Sequence, residues 1–404
     1  MDTQSRLDRF RANLGPGIIL AATGIGVGDM VSATISGAEY GLTLVWALAG
    51  GVLVKFVVTE GIARWQLVTG GSLIEGWRDH LPRVAVLAFF LYFITWSYFV
   101  SAALVAASAL APAAVIPAVP LSAWVVIHAL AAFVMVWFGR YQQLVEVMKV
   151  FIALMFGSLL LTILLIIFRT GADWDGIAAS SPLSTSYVLS IIGGIGGTVT
   201  VLSYGYWMRE QGWQGRDRLG SARIDLAVSF GLAFCFGLAM MFLSTQINWE
   251  GQILDQGPRL ALLLADRIGA ETGPIGRALF LLGFWGAAYS SVLGVWHGVP
   301  FLFDDWIHVW RRRRPTGQRG AAYRAWAAYL TLAAISALFV QRPVRLVFAY
   351  TVVGALFFPF VISTLLWMNN SRRLMPAGTR SGPLLNFALG AALVVYAYLA
   401  FESF

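Results

Sequence analysis

Charge is scarce in this sequence. Of 404 residues only 12% are Asp, Glu, Lys or Arg, while 58% are hydrophobic. A soluble domain carries about twice that charged share. The shortage excludes a soluble fold and leaves a polytopic membrane protein, whose spanning helices each need roughly 20 apolar residues. Cysteine is nearly absent. Cys235 stands alone, which excludes an intrachain disulfide and a cysteine-built metal cluster. No HExxH, GxSxG or Walker loop is present, so nothing points to hydrolytic chemistry or to ATP as an energy source. The sequence also has no low-complexity tail. "MDTQSRLDRFRAN" lacks the short basic region and cleavage site of a signal peptide, so no cleavable leader is expected.

What is present is a series of apolar runs. Eleven segments read as membrane spans: roughly 15–40, 43–63, 84–111, 121–139, 147–168, 187–207, 224–245, 276–302, 321–340, 344–368 and 384–402. The connections between them are mostly short. With the N-terminus in the cytoplasm, the cytoplasmic side collects 21 Lys and Arg, including Arg6, Arg9, Arg11 and Arg314. The outer side then has 6, including Arg259, Arg342 and Arg345. Lysine and arginine concentrate on the cytoplasmic side of membrane proteins, so the net charge of +8 is a topology signal. "RRRRP" at 311–315 reads as an anchor near anionic lipid, and no nucleic-acid partner is expected. The expected location is the cytoplasmic membrane, multi-pass, with the N-terminus inside.

Two segments differ from the rest. The first contains "GPGIILAATGIGVGDM" and the sixth "IIGGIGGTVTVLSYG". Glycine costs about 1 kcal/mol per residue in a helix interior. A carboxylate at mid-membrane, here Asp29, costs at least about 2.5 kcal/mol on insertion scales. Glycines also serve plain helix packing in membranes, and that reading competes with a functional one. The two segments, however, stand five spans apart. An odd offset places the second half in inverted orientation, and interrupted helices at matching places in two halves mark the binding site of an inverted-repeat transporter. If the helices unwind there, freed backbone carbonyls and Asp29 surround a cation inside protein rather than facing lipid.

The residues that carry these features resemble the Nramp family of divalent-metal transporters, over most of the chain. "GPGIILAAT" is similar to the family's opening of its first helix. "EGIARWQLVTGGSLIEGWRDHLP", residues 60–82, resembles the close of its second, with Ala63, Arg64, Thr69, Gly70, Leu73 and Glu75 at matching places. "GRYQQLVEVMKVFIALMF", residues 139–156, is similar to the passage between helices four and five. "ALFLLGFWGAAYSSVLGVWHGVPFLFDDW" resembles the eighth helix. The resemblance implies an all-α polytopic membrane protein with a five-plus-five inverted repeat of the leucine-transporter type. About eleven transmembrane helices are expected, with helices 1 and 6 broken. The whole chain then forms one transmembrane domain: repeat one over about 15–168, repeat two over about 187–368, and an extra helix over about 384–402.

The family's metal-binding motifs are altered. Where its first broken helix reads Asp-Pro-Gly-Asn, this chain has Gly26, Val27, Gly28 and Asp29. Where its sixth has a Met-Pro-His pattern, the aligned stretch lies near Thr200, Val201 and Leu202. The acids of the family's third helix have no counterpart in residues 84–111, so weak or absent proton coupling is expected. The candidate site is Asp29 as the charged metal ligand, the Gly26–Val27–Gly28 backbone, above all the carbonyls of Gly26 and Val27, and the hydroxyls of Thr200 and Ser203. Thr198, Ser290, Ser291 and His297 form a second tier. Such a set is all oxygen at its centre, which suits Mg²⁺, Ca²⁺ or Mn²⁺ better than softer metals.

The expected function is secondary or passive transport of a divalent cation by alternating access. The cation is cargo, and no cofactor is expected. Two alternatives are the same fold carrying another small solute, such as an amino acid or organic ion, and a non-transporting membrane sensor. Among the other ionisable residues, Glu60 and Arg64 read as a structural pair, and Lys55 lies five residues from Glu60, too far round the helix to join it. Glu146 and Lys149 read as a surface pair, and His128 as a hydrogen-bonded core residue. Asp225 suits the N-terminus of its own helix, and Asp304 and Asp305 are expected as counter-ions of the nearby arginines.

Overall fold

Apolar runs of this length satisfy their backbone polar groups in lipid only by coiling into helices, and helices are what form. The computed structural model describes residues 15–171, 188, 191–192, 195–247, 249, 260–313, 315–339, 353–354 and 356–402. Arg6, Arg9, Arg11, Arg259, Arg314, Arg342 and Arg345 of the charge count lie outside the described residues, as do parts of the segments 187–207, 321–340 and 344–368.

The first segment is two helices, α1 (Pro16–Gly24) and α2 (Val27–Tyr40), bent by 56° at the break between them. Next come α3 (Val45–Thr69), the short α4 (Leu73–His80), α5 (Arg83–Ser108), α6 (Leu110–Val115), α7 (Leu121–Phe138) and α8 (Tyr141–Thr170). Within the described part of the sixth segment a 3₁₀ turn at Val199–Leu202 runs into α9 (Ser203–Glu210). Then follow α10 (Leu219–Thr245), α11 (Leu260–Thr272), α12 (Pro274–Trp310), α13 (Ala321–Ser336), α14 (Phe357–Met368) and α15 (Pro383–Glu402). Several helices outrun the apolar segments that announce them. α3 continues to Thr69, α8 begins at Tyr141 and α12 extends to Trp310, because their polar end turns keep helical geometry beyond the apolar stretch. α4 starts on a reciprocal cap in which Ser72 Oγ accepts from Glu75 N–H at 3.1 Å and Glu75 Oε2 accepts from Ser72 N–H at 2.7 Å.

α12 is the central post. It packs on α1, α5, α8, α11 and α13, while α10 packs on α1, α2 and α3. In the most apolar stretch of α12 72% of residues are buried, against 28% in that of α8. The outward faces carry exposed Leu87, Leu91, Val134, Phe138, Leu160, Phe168, Phe387 and Val394, the surface that meets lipid. Stacked aromatic pairs lock α12 to its neighbours: Phe90 on Trp306 at 4.4 Å and Phe303 on Trp326 at 4.2 Å between ring centroids. In a bilayer such contacts act through van der Waals fit rather than through release of water.

The charged pairs sort by place. Glu146 and Lys149 form the expected exposed pair at 2.7 Å. Glu60 and Arg64 pair at 2.6 Å while buried, and Arg223 of α10 adds a second cation to Glu60 at 2.9 Å. His128 accepts from Trp285 Nε1–H at 2.8 Å and lies 2.7 Å from the Trp124 carbonyl oxygen, a core residue as read. Among the described residues neither Asp304 nor Asp305 pairs with the expected arginines, Arg311 to Arg313. Asp304 accepts from Thr316 N–H, Thr316 Oγ1–H and Gly317 N–H, each at 2.8 Å, which folds the loop after α12 back onto it. Asp305 accepts from Tyr206 O–H at 2.7 Å. Both aspartates are fully buried, whereas Arg311, Arg312 and Arg313 are exposed.

Candidate ion site between the two helix breaks

Asp29 has a local reason to face the break. It occupies the third position of α2, and its Oδ2 accepts from the N–H of Gly26, the residue that precedes the helix, at 2.9 Å. That is the return half of a capping box. Its other oxygen reaches across the molecule: Oδ1 accepts from Gly196 N–H at 2.7 Å. One carboxylate therefore binds backbone from both broken segments, 167 residues apart in sequence, and is only 4% exposed.

The second break is built on glycine. Gly196 and Gly197 both have φ of +82°, a left-handed conformation that costs other residues roughly 1–2 kcal/mol each. The two breaks also touch: a Cβ on Gly24 would lie 3.2 Å from the Gly196 carbonyl. Between them lies a cavity of about 20 Å³, room for a single water-sized species. Its polar side chains are Asp29, Thr23, Thr200 and Ser291, and its apolar wall includes Val100, Leu104 and Val295. None of its lining residues carries sulfur or imidazole.

Gly26, Val27, Gly28, Asp29 and Thr200 all line this cavity. The break itself falls one residue earlier than the candidate carbonyls require. α2 resumes at Val27, and the Gly26 carbonyl accepts from Met30 N–H at 3.1 Å. The carbonyl at the bend is that of Ile25, on which Ser291 Oγ–H closes at 3.3 Å. Ser203 is buried but is not among the lining residues; it starts α9 and packs at Gly298 of α12. Thr198 Oγ1 accepts from Trp96 Nε1–H at 3.1 Å, and Ser290 Oγ–H donates to the Ala22 carbonyl at 2.8 Å. Both brace the breaks from outside the cavity. His297 accepts from Trp207 Nε1–H at 3.1 Å and lies against Tyr141 and Phe301, away from Asp29.

Two residues here have roles other than those their sequence context suggests. Asp225 serves another helix's N-terminus, not its own: its oxygens accept from Gly15 N–H at 3.0 Å, Gly17 N–H at 2.6 Å and Tyr204 O–H at 3.0 Å, pinning the start of α1 to α10 and α9. Lys55 of α3 is fully buried behind the second break. A Cβ on Gly196 would meet its side chain at 3.2 Å, and its Nζ stands 3.5 Å from the centroid of the Phe358 ring. The one signal in the sequence is a lysine in an apolar run with no acid a turn away.

Paired helix breaks around a buried carboxylate, in a bundle faced with exposed apolar side chains, define a multi-pass membrane protein of the leucine-transporter fold. That fold is shared with MhsT in complex with L-phenylalanine (TM-score 0.67, 16% identity, covering 96% of this chain and 98% of that one). It is shared more fully with the manganese transporter of Eremococcus coleocola in complex with an aromatic bis-isothiourea compound (TM-score 0.81, 16% identity, 100% and 88%). The family model of natural resistance-associated macrophage protein-like (Nramp) proteins matches residues 17–403, and the chain belongs to that family. Among curated relatives, the divalent metal cation transporter MntH of Pectobacterium carotovorum is 27% identical over 242 residues, 56% of this chain and 57% of the relative. That of Erwinia tasmaniensis is 27% identical over 252 residues, 57% of each. The chain thus matches a little over half the length of these relatives.

Proposed function

We propose that the protein carries a divalent metal cation across the cytoplasmic membrane by alternating access, with the N-terminus inside and a preference for hard ions such as Mn²⁺ or Mg²⁺. The observation that carries this reading is Asp29, buried and hydrogen-bonded to backbone of both breaks beside a cavity with room for one ion. A carboxylate has about four lone-pair positions, so its two backbone bonds leave accepting capacity for a cation. Thr200, Ser291 and backbone carbonyls supply further oxygen, the donor set of hard cations, and Mg²⁺-like ions keep waters of their own. Membership of a family whose relatives are named divalent metal cation transporters supports the same class of cargo. An organic solute of several heavy atoms is disfavoured by the size of the cavity. Repeat one is assigned to about 15–168, repeat two to about 187–368, and α15 to an added helix.

The test is flux into proteoliposomes. The wild-type chain takes up Mn²⁺ and Mg²⁺ without ATP, and Asp29→Ala abolishes uptake while the purified protein keeps its monodisperse, helical state. Unchanged uptake by Asp29→Ala refutes the reading.

A further inference from the structure

A single buried acid raises a problem for a transporter of this kind. When the cargo leaves, a bare carboxylate remains in a low-dielectric site, and the empty protein must change conformation with that charge buried. Residues 84–111 of this chain contain no Asp, Glu, His, Lys or Arg. The chain does hold a buried basic side chain beside the site.

Lys55 is 0% exposed. Its stem passes behind Gly196, the residue whose N–H donates to Asp29 Oδ1, so the lysine and the carboxylate meet the same glycine. The ammonium is held on the face of Phe358 at 3.5 Å and within 5.7 Å of the Tyr396 ring centroid. Those two rings stack on each other at 4.6 Å, joining α14 to α15. An aromatic face attracts a desolvated cation, so the lysine has a seat of its own beside the site and does not depend on Asp29 to stay there.

We propose that Lys55 is the resident counter-ion of Asp29: its ammonium neutralises the carboxylate while the site is empty, so that the unloaded transporter returns across the membrane without carrying a cation. Cargo takes the carboxylate, and the ammonium stays on Phe358. The arrangement gives up affinity for cations in return for a site that empties and resets. It rests on the cation-transport reading above, and it assigns that site a means of turning over without a coupling proton.

Two measurements test it. The first compares net uptake of Mn²⁺ into metal-free proteoliposomes with exchange of radiolabelled Mn²⁺ across membranes loaded with Mn²⁺ on both sides. Exchange needs only the loaded form to move; net uptake needs the empty form to return. Lys55→Met is expected to lose net uptake by about tenfold or more relative to exchange and to lower the Mn²⁺ concentration for half-saturation, and Lys55→Arg to recover the ratio. Equal loss of both modes, or an unchanged ratio, overturns the proposal. The second is a double-mutant cycle on the melting temperature of the metal-free protein. Lys55→Met lowers it, and adding Asp29→Asn restores part of the loss, whereas additive losses overturn the pairing. A wild-type chain that moves no Mn²⁺ in either mode overturns the transport reading and the return role, and the cycle still decides the pairing.

Discussion

At Asp29 the cost of burying a charge is met by backbone. Hydrogen bonds to a charged acceptor contribute about 1.5–3 kcal/mol each, and this carboxylate accepts two, from Gly26 and Gly196. An asparagine has the same shape but only one oxygen, so in Asp29→Asn one of the two N–H groups faces an NH₂. The metal-free protein is expected to lose about 1–3 kcal/mol, and Mn²⁺ to stop raising its melting temperature in thermal scans; an Mn²⁺-induced rise equal to wild type contradicts the role. Thr200 and Ser203 separate on the same logic. Thr200 lines the cavity and Ser203 does not, so Thr200→Val raises the Mn²⁺ concentration for half-maximal uptake several-fold, while Ser203→Ala leaves it within about twofold. Sequence alone ranks the two hydroxyls together, because their spacing fits one face of an α-helix. The structure parts them by packing: Ser203 opens α9 and its side chain lies against Gly298 of α12.

Among the elements, the breaks were the most legible part of the chain. Glycines around an acid in one apolar run, and a glycine cluster five runs later, suffice to place them. Their geometry was not legible to the residue: α2 resumes at Val27 because Asp29 caps it, and that cap fixes the bend at Ile25 and Gly26. Gly197→Ala is expected to destabilise by at least about 1–2 kcal/mol, since its φ is +82° and a Cβ there meets Thr200 Oγ1 at 2.7 Å; a melting curve matching wild type contradicts the left-handed turn. Asp225 shows why other contacts escape a sequence reading. An acid near a helix start is read against its own helix, yet its partners are Gly15 and Gly17, more than 200 residues away. Asp225→Asn weakens the hold on α1. In a Cys235→Ala background, a thiol introduced as Thr23→Cys then reacts several-fold faster with a water-soluble maleimide; an unchanged rate counts against Asp225 as the anchor of α1. The ring contacts of Lys55 escape a sequence reading for the same reason, since Phe358 and Tyr396 lie on the last two helices.

For the whole molecule, composition and hydropathy disclosed the class and an expected orientation, because lipid imposes one solution on long apolar runs. Which helix becomes the central post is a matter of three-dimensional packing, and nothing in α12's run of residues ranks it above α8. The lack of acids along α5 bears on energetics: an imposed pH gradient is expected to change the initial rate of Mn²⁺ uptake by less than about twofold once membrane potential is clamped, and uptake driven uphill by the gradient alone contradicts this. The central claim is that cargo sits against Asp29 where the two breaks meet. Anomalous diffraction at the manganese edge, on crystals of the full chain soaked in Mn²⁺, locates the ion directly. The account predicts one principal peak within coordination distance of the Asp29 carboxylate, beside Thr200, that vanishes in Asp29→Ala; a peak elsewhere in the bundle, or one that survives that substitution, contradicts it.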